Sequence, residues 1–88
     1  MPDKRILEHA QSISNTSLPE LSSKQAIALL LSLMYTREEI CELMNIQPST
    51  LRTHLERGMK TMKKTQGIDD ADELAYIVFK RLAQVLQF

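Results

Sequence analysis

Between Gln47 and Lys64 the chain gathers Arg52, Arg57, Lys60, Lys63 and Lys64 against one acid, Glu56, a local charge of +4 in a protein of zero formal net charge. Residues 1–46 and residues 65–88 each carry −2. Cationic side chains confined to one short element suit one kind of chemistry: they neutralise phosphates and release the counterions held there. Zero net charge argues weakly against a nonspecific nucleic-acid coat, so the distribution of charge carries the argument. Leu51, Leu55, Met59 and Met62 recur every three or four residues through the same stretch. A helix would bury them as one stripe and leave Ser49, Arg52, Thr53, Glu56, Arg57, Lys60 and Lys63 facing solvent or a partner.

Other chemistries find little support. Neither His9 nor His54 sits in a nucleophile or metal-ligand pattern, and two glycines could hardly build a phosphate-cradling loop. Cys41 has no second cysteine or suitably spaced histidine beside it, and reads as a small, partly buried core residue. No enzyme activity, cofactor, metal or small-molecule ligand is expected.

The elements that would position the basic stretch can be read from their ends. Thr36-Arg37-Glu38-Glu39 is a capping box, with Tyr35 and Ile40 placed as a hydrophobic staple across it. The helix it opens is brief, with Ile40, Leu43 and Met44 turned inward. Asn45 suits the left-handed conformation at a helix end. Ile46 would plug the angle that follows, and Pro48 fits the first position of the next helix, where its missing amide costs nothing. Helix, three- or four-residue turn, helix is the helix-turn-helix motif, with a recognition helix over about 48–63.

Upstream, Ser22 can cap the amide of Gln25, whose side chain can reach back. Ala26 to Met34 is apolar on nearly every side and belongs to the core. Ile6, Leu7, Ala10 and Ile13 allow a short amphipathic helix from about Asp3, with a frayed tail as the alternative. Ser12, Ser14, Asn15, Thr16 and Ser17 read as a polar connector. Downstream, Thr65-Gln66-Gly67 ends the basic helix, and Asp70 can cap a last helix at the amide of Glu73. Leu74, Ala75, Val78, Leu82 and Val85 make one apolar stripe, while Tyr76, Ile77, Phe79 and Leu86 add apolar surface beyond it. Either a second copy of the protein or the N-terminal helix covers that excess. Gly58 costs about 1 kcal/mol relative to alanine inside a helix. It marks either a close backbone approach or a bend.

Composition bounds the rest. Eighty-eight residues make one small domain that gains from a partner subunit. Leucine, isoleucine and methionine dominate over valine and aromatics, which favours helices. No apolar run is long enough to span a bilayer, no signal peptide is evident, and a single cysteine fits a reducing compartment. The expected location is the cytoplasm, with no membrane partner.

With these residues in place, the span from Leu18 to about Leu82 resembles the LuxR-type (GerE or NarL-like) DNA-binding domain. The family's opening Leu-Thr-x-Arg-Glu is softened here to Leu21-Ser22-Ser23-Lys24-Gln25. Its second helix, Asn-x-Glu-Ile-Ala-x-x-Leu, compares with Thr36-Arg37-Glu38-Glu39-Ile40-Cys41-Glu42-Leu43. Its recognition helix, Ile-Ser-x-x-Thr-Val-Lys-x-His, compares with Ile46-Gln47-Pro48-Ser49-Thr50-Leu51-Arg52-Thr53-His54. Its closing Gly-Val-x-Asn-Arg-Thr-Glu-Leu returns as Gly67-Ile68-Asp69-Asp70-Ala71-Asp72-Glu73-Leu74.

The resemblance implies an all-α, four-helix domain over residues 18–88, behind an N-terminal extension over 1–17 with room for an extra short helix. It implies a bacterial transcription regulator that sets its third helix into the major groove of double-stranded DNA and pairs as a homodimer through its last helix, at Tyr76, Phe79, Lys80 and Ala83. Arg52 takes the place of the family's base- or phosphate-contacting lysine, and Thr53 that of the next base-edge position. Thr50 matches the threonine whose hydroxyl or amide can hold a phosphate. His54 matches the family's histidine, with half-buried packing the preferred role. Two departures stand out. Glu56 replaces a second basic reader and could accept from a cytosine amino group or weaken phosphate binding. Gln47 replaces the serine cap. Fewer than twenty residues precede the motif, so a sensor domain of the kind most relatives carry has no room.

Two rivals share the helix-turn-helix. One is an interaction module that pairs with a larger regulator and modulates it without reading DNA. The other is a sigma-factor-like module that docks on RNA polymerase, against which the closing Gly67-to-Leu74 pattern speaks.

Overall fold

Among the described residues, four helices begin where a side chain accepts from an otherwise free backbone amide, and one begins at a proline that has no amide to satisfy. The computed structural model describes residues 3–86, with side chains as far as Val85. Over them the chain forms five helices and no strand: α1 (Lys4–Ser17), α2 (Ser23–Ser32), α3 (Arg37–Met44), α4 (Pro48–Gln66) and α5 (Ala71–Leu86). The expected extra helix is therefore present as α1.

Helix α1 is longer than expected. The Asp3 carboxylate accepts from the Arg5 amide at 2.9 Å and starts it, and it continues through the serine-rich stretch that reads as a connector. Unmet hydroxyls would oppose that. Here Ser12 donates to the His9 carbonyl at 2.8 Å, Ser14 to Gln11 at 2.9 Å and Ser17 to Ile13 at 2.7 Å. With their hydroxyls turned back onto the helix, Ser14 and Ser17 are small enough to be buried.

In α2 the Ser22 hydroxyl accepts from the Gln25 amide at 3.4 Å. The return bond from the Gln25 side chain is absent among the described residues. Ala26 through Leu31 are all buried, as a helix apolar all round requires. The run ends sooner than expected: Met34 lies past the helix and is 78% exposed.

Helix α3 carries the complete capping box. Glu39 accepts from the Thr36 amide at 2.9 Å, and the Thr36 hydroxyl accepts from the Glu39 amide at 3.2 Å. Tyr35 and Ile40 join the same apolar cluster on either side of it. Asn45 ends the helix in the left-handed region, φ 54°. Ile46 donates to the Cys41 carbonyl at 3.0 Å and packs against the core beneath the turn. Pro48 opens α4, and Gln47 makes no side-chain cap. Helix α4 runs to Gln66, and Gly67 closes it at φ 70°, where Thr65-Gln66-Gly67 is expected to end it.

Two apolar clusters hold the helices. Leu18, Leu29, Leu30, Met62, Ile68, Leu74 and Val78 form one, joining α2, α4 and α5. Ala10, Ile27, Ala28, Leu31, Ile40, Leu43 and Leu51 form the other, joining α1, α2, α3 and the start of α4. Leu55 packs against both. Gly58 is buried where α4 crosses α2: a Cβ there would stand 2.8 Å from Leu29 Cδ1 and 3.2 Å from Leu29 Cγ. The glycine serves a close approach, the first of the two roles its position suggests.

Candidate nucleic-acid interface

Leu51, Gly58 and Met62 fix the inner side of α4, with Leu55 and Met59 half-buried at its edges. At about 100° per residue, the opposite line runs through Ser49, Thr53, Lys60 and Lys64. Glu56, Arg52 and Lys63 follow one flank, and Arg57 and Thr50 the other. Ser49, Thr50, Arg52, Glu56, Arg57, Lys60, Lys63 and Lys64 are exposed. The residues singled out from the sequence therefore share one helix and one broad outer surface. From Ser49 to Lys60 that surface extends about 16 Å along the helix axis, at about 1.5 Å of rise per residue.

Their surroundings differ. Arg52, Arg57, Lys60 and Lys64 form no ion pair among the described residues, so their charges are open to a ligand. Glu56 is one helical turn from both Arg52 and Lys60, yet it pairs with neither. The Lys63 ammonium is 3.2 Å from the Asp69 carboxylate in the following loop. In the last turn it also faces the negative end of the helix dipole, so it helps to close α4. Thr53 is half-buried, and its hydroxyl donates to the Ser49 carbonyl at 3.1 Å, which leaves its methyl group to face outward contacts. His54 is half-buried on the flank, in keeping with packing.

A second set of residues holds this surface in place and has no counterpart in the sequence reading. Arg81 of α5 donates to both carboxylate oxygens of Glu20, at 2.8 and 2.7 Å, and to the Ser17 carbonyl at 3.0 Å. Gln66, the last residue of α4, donates to Glu20 at 2.9 Å. One carboxylate thus ties the α1–α2 turn to the end of α4 and to the body of α5. The hydrogen bond from Arg81 holds the Glu20 carboxyl below its ordinary range, against the opposing effect of burial, and the same bond raises Arg81. Residues 20, 66 and 81 have no local spacing that would announce them.

On α5, Leu74 and Val78 are buried and Ala75 and Leu82 half-buried, but Val85, expected on the same stripe, is 61% exposed. Helix α1 packs on the inner side of α5 without covering the outer side. Tyr76 is 66% and Phe79 70% exposed, Lys80 is exposed and Ala83 half-buried. Leu86 lies outside the described side chains. An apolar cleft of about 400 Å³ remains between α1, the end of α2 and α5, lined in part by Ile6, Ile13, Leu30 and Phe79. No helix among the described residues is long and apolar enough to cross a membrane.

Comparison with known proteins places the motif. Residues 16–62 match the family model described as Sigma-70, region 4. No curated protein and no solved structure matches the chain. The matched span runs from the end of α1 through α2, α3 and α4 to Met62, just over half of the chain. It stops before the Gly67-to-Leu74 pattern, which therefore carries no weight against the sigma-type reading. The LuxR-type resemblance shares the helix-turn-helix with this family but is not the same assignment. The chain belongs to the Sigma-70, region 4 family of helix-turn-helix, DNA-binding domains.

Proposed function

We propose that this protein is a sequence-specific, DNA-binding transcription regulator that sets the first four turns of α4, about residues 48–63, into the major groove and works as a homodimer. One observation carries the reading. In a chain of zero net charge, Arg52, Arg57, Lys60 and Lys64 stand exposed, and without ion pairs among the described residues, on the helix that follows a capped three-residue turn. Ser49, Thr50 and Arg52, near the helix start, would hold phosphates and the nearest base edges. Thr53, Glu56 and Lys60 lie deeper along the same surface. Arg57 and Lys63 are assigned to the two flanking backbones. The role is that of a binding module and not an enzyme, and it places the protein in the cytoplasm with the DNA.

A second reading is that the domain docks through protein contacts, on RNA polymerase, which the family match favours, or on a larger regulator. Salt separates the two. Duplexes selected from a random pool are titrated with the protein by fluorescence anisotropy over a range of salt. Groove binding predicts a steep loss of affinity with salt and, for Arg52→Ala, a weakening of about 1–3 kcal/mol. A flat salt response, or no binding at low salt, would transfer the function to protein docking.

A further inference from the structure

We propose that α5 pairs antiparallel with α5 of a second copy of this chain, about a two-fold axis between Tyr76 and Phe79, with Asp72 of each copy set against Lys80 of the other. This rests on the homodimer in the proposed function and gives it a register. The outer face of α5 is a stripe of Asp72, Tyr76, Phe79, Lys80 and Ala83, which recur at helical spacing on the side away from Leu74 and Val78. Two large aromatic side chains on it are mostly exposed.

The charges decide the orientation. Asp72 and Lys80 are both exposed and take part in no ion pair among the described residues. Neither has an opposite charge three or four residues away in the chain: Asp72 is flanked by Ile68 and Asp69 in the preceding loop and by Ala75 and Tyr76 on α5, and Lys80 by Tyr76, Ile77, Ala83 and Gln84. A parallel pair would set Asp72 beside Asp72 and Lys80 beside Lys80. An antiparallel pair exchanges them, and both unmatched charges find a partner twice. With the axis midway between Tyr76 and Phe79, each Tyr76 lies level with Phe79 of the other copy. Each Lys80 is then about 4.5 Å along the axis from the opposing Asp72, within reach of a lysine side chain. Aromatic contact at the centre and ion pairs at the rim match the usual anatomy of a small protein interface.

The test is charge exchange in the full chain without DNA, read as molar mass by sedimentation equilibrium. Asp72→Lys alone and Lys80→Asp alone each oppose like charges across the pair, and each weakens self-association by about tenfold. An equimolar mixture of the two single variants restores it, because one copy then carries two lysines and the other two aspartates. The mixture contains the same altered helices as the separate samples, so recovery cannot come from a change in folding. Phe79→Ala weakens pairing while leaving both charges in place. A wild-type dimer that ignores the exchange overturns the register and leaves the homodimer standing. A strictly monomeric wild type at high micromolar concentration overturns both, while groove binding by α4 is still judged by its own salt titration.

Discussion

Arg81 holds Glu20 by two hydrogen bonds, at 2.8 and 2.7 Å, although the two residues are 61 positions apart. Both side chains are mostly covered, 23% and 16% exposed, and the third donor to Glu20 is Gln66 at the end of α4. Removing the guanidinium leaves a covered carboxylate with one neutral donor and frees the Ser17 carbonyl as well. Breaking a buried pair costs about 3–5 kcal/mol, and a pair that keeps some water costs less. Arg81→Ala is therefore expected to lower unfolding stability by about 2 kcal/mol in urea titration. The basic face of α4 is supported through the same contacts, so DNA affinity should fall although Arg81 lies outside the proposed contact surface.

The same pair sets a pH dependence. Glu20 is held below its ordinary value of 4.5 in the folded protein, first by the Arg81 hydrogen bond. A depressed carboxyl stabilises the fold fully above its unfolded value and loses that contribution as pH falls through its folded value. The stability difference between wild type and Glu20→Gln should be constant near neutrality and shrink as pH drops below about 4. Urea midpoints across an acid series measure it. A difference that persists unchanged well below the carboxylate range would mean that the pair acts by packing alone.

Gly58 tests the seat of the recognition helix. Alanine gains about 1 kcal/mol in helix propensity at an ordinary position. Here its Cβ would meet Leu29 at 2.8 Å, and Leu29 is only 2% exposed and has little room to move. Overpacking of this kind costs about 1–3 kcal/mol, so the steric term should win. Gly58→Ala is expected to destabilise the protein slightly, and Gly58→Val by more, in thermal or urea unfolding. A stabilised Gly58→Ala would show that α2 and α4 can separate freely.

Local signals were legible and distant ones were not. The Thr36–Glu39 box, the left-handed Asn45, Pro48 at the first helical position and Gly67 at the close each act within four residues, and together they locate α3 and α4. The polar stretch at the end of α1 reads as a connector because composition does not reveal hydroxyls turned back onto their own helix. Met34 reads as core from its apolar neighbours, yet the buried run stops with the helix and not with the apolar composition. Glu20 and Arg81 meet only after five helices have packed, so no periodicity could pair them. For the basic face, the alternation of buried and outward positions was readable from Leu51 to Met62. The engagement of Lys63 by Asp69 depends on the path of the loop beyond the helix.

Glu56 offers the sharpest test of how the basic face is used. It stands exposed between Arg52 and Lys60, one turn from each, and pairs with neither among the described residues. An acid so placed repels phosphates, and it can also accept a hydrogen bond from a cytosine amino group in the major groove. The two effects have different signatures. Removing the repulsion should tighten binding to every duplex alike, while removing a base contact should erase a preference at one position. Glu56→Ala is expected to bind random-sequence duplex more tightly than wild type and to lose about 1–3 kcal/mol of discrimination at a single base pair of the selected site. Random-pool selection with both proteins, followed by anisotropy on single-position variants, measures both effects. If specific and nonspecific duplexes tighten by the same factor, Glu56 acts as a repulsive charge and the reading of sequence falls to Arg52, Thr53 and Lys60.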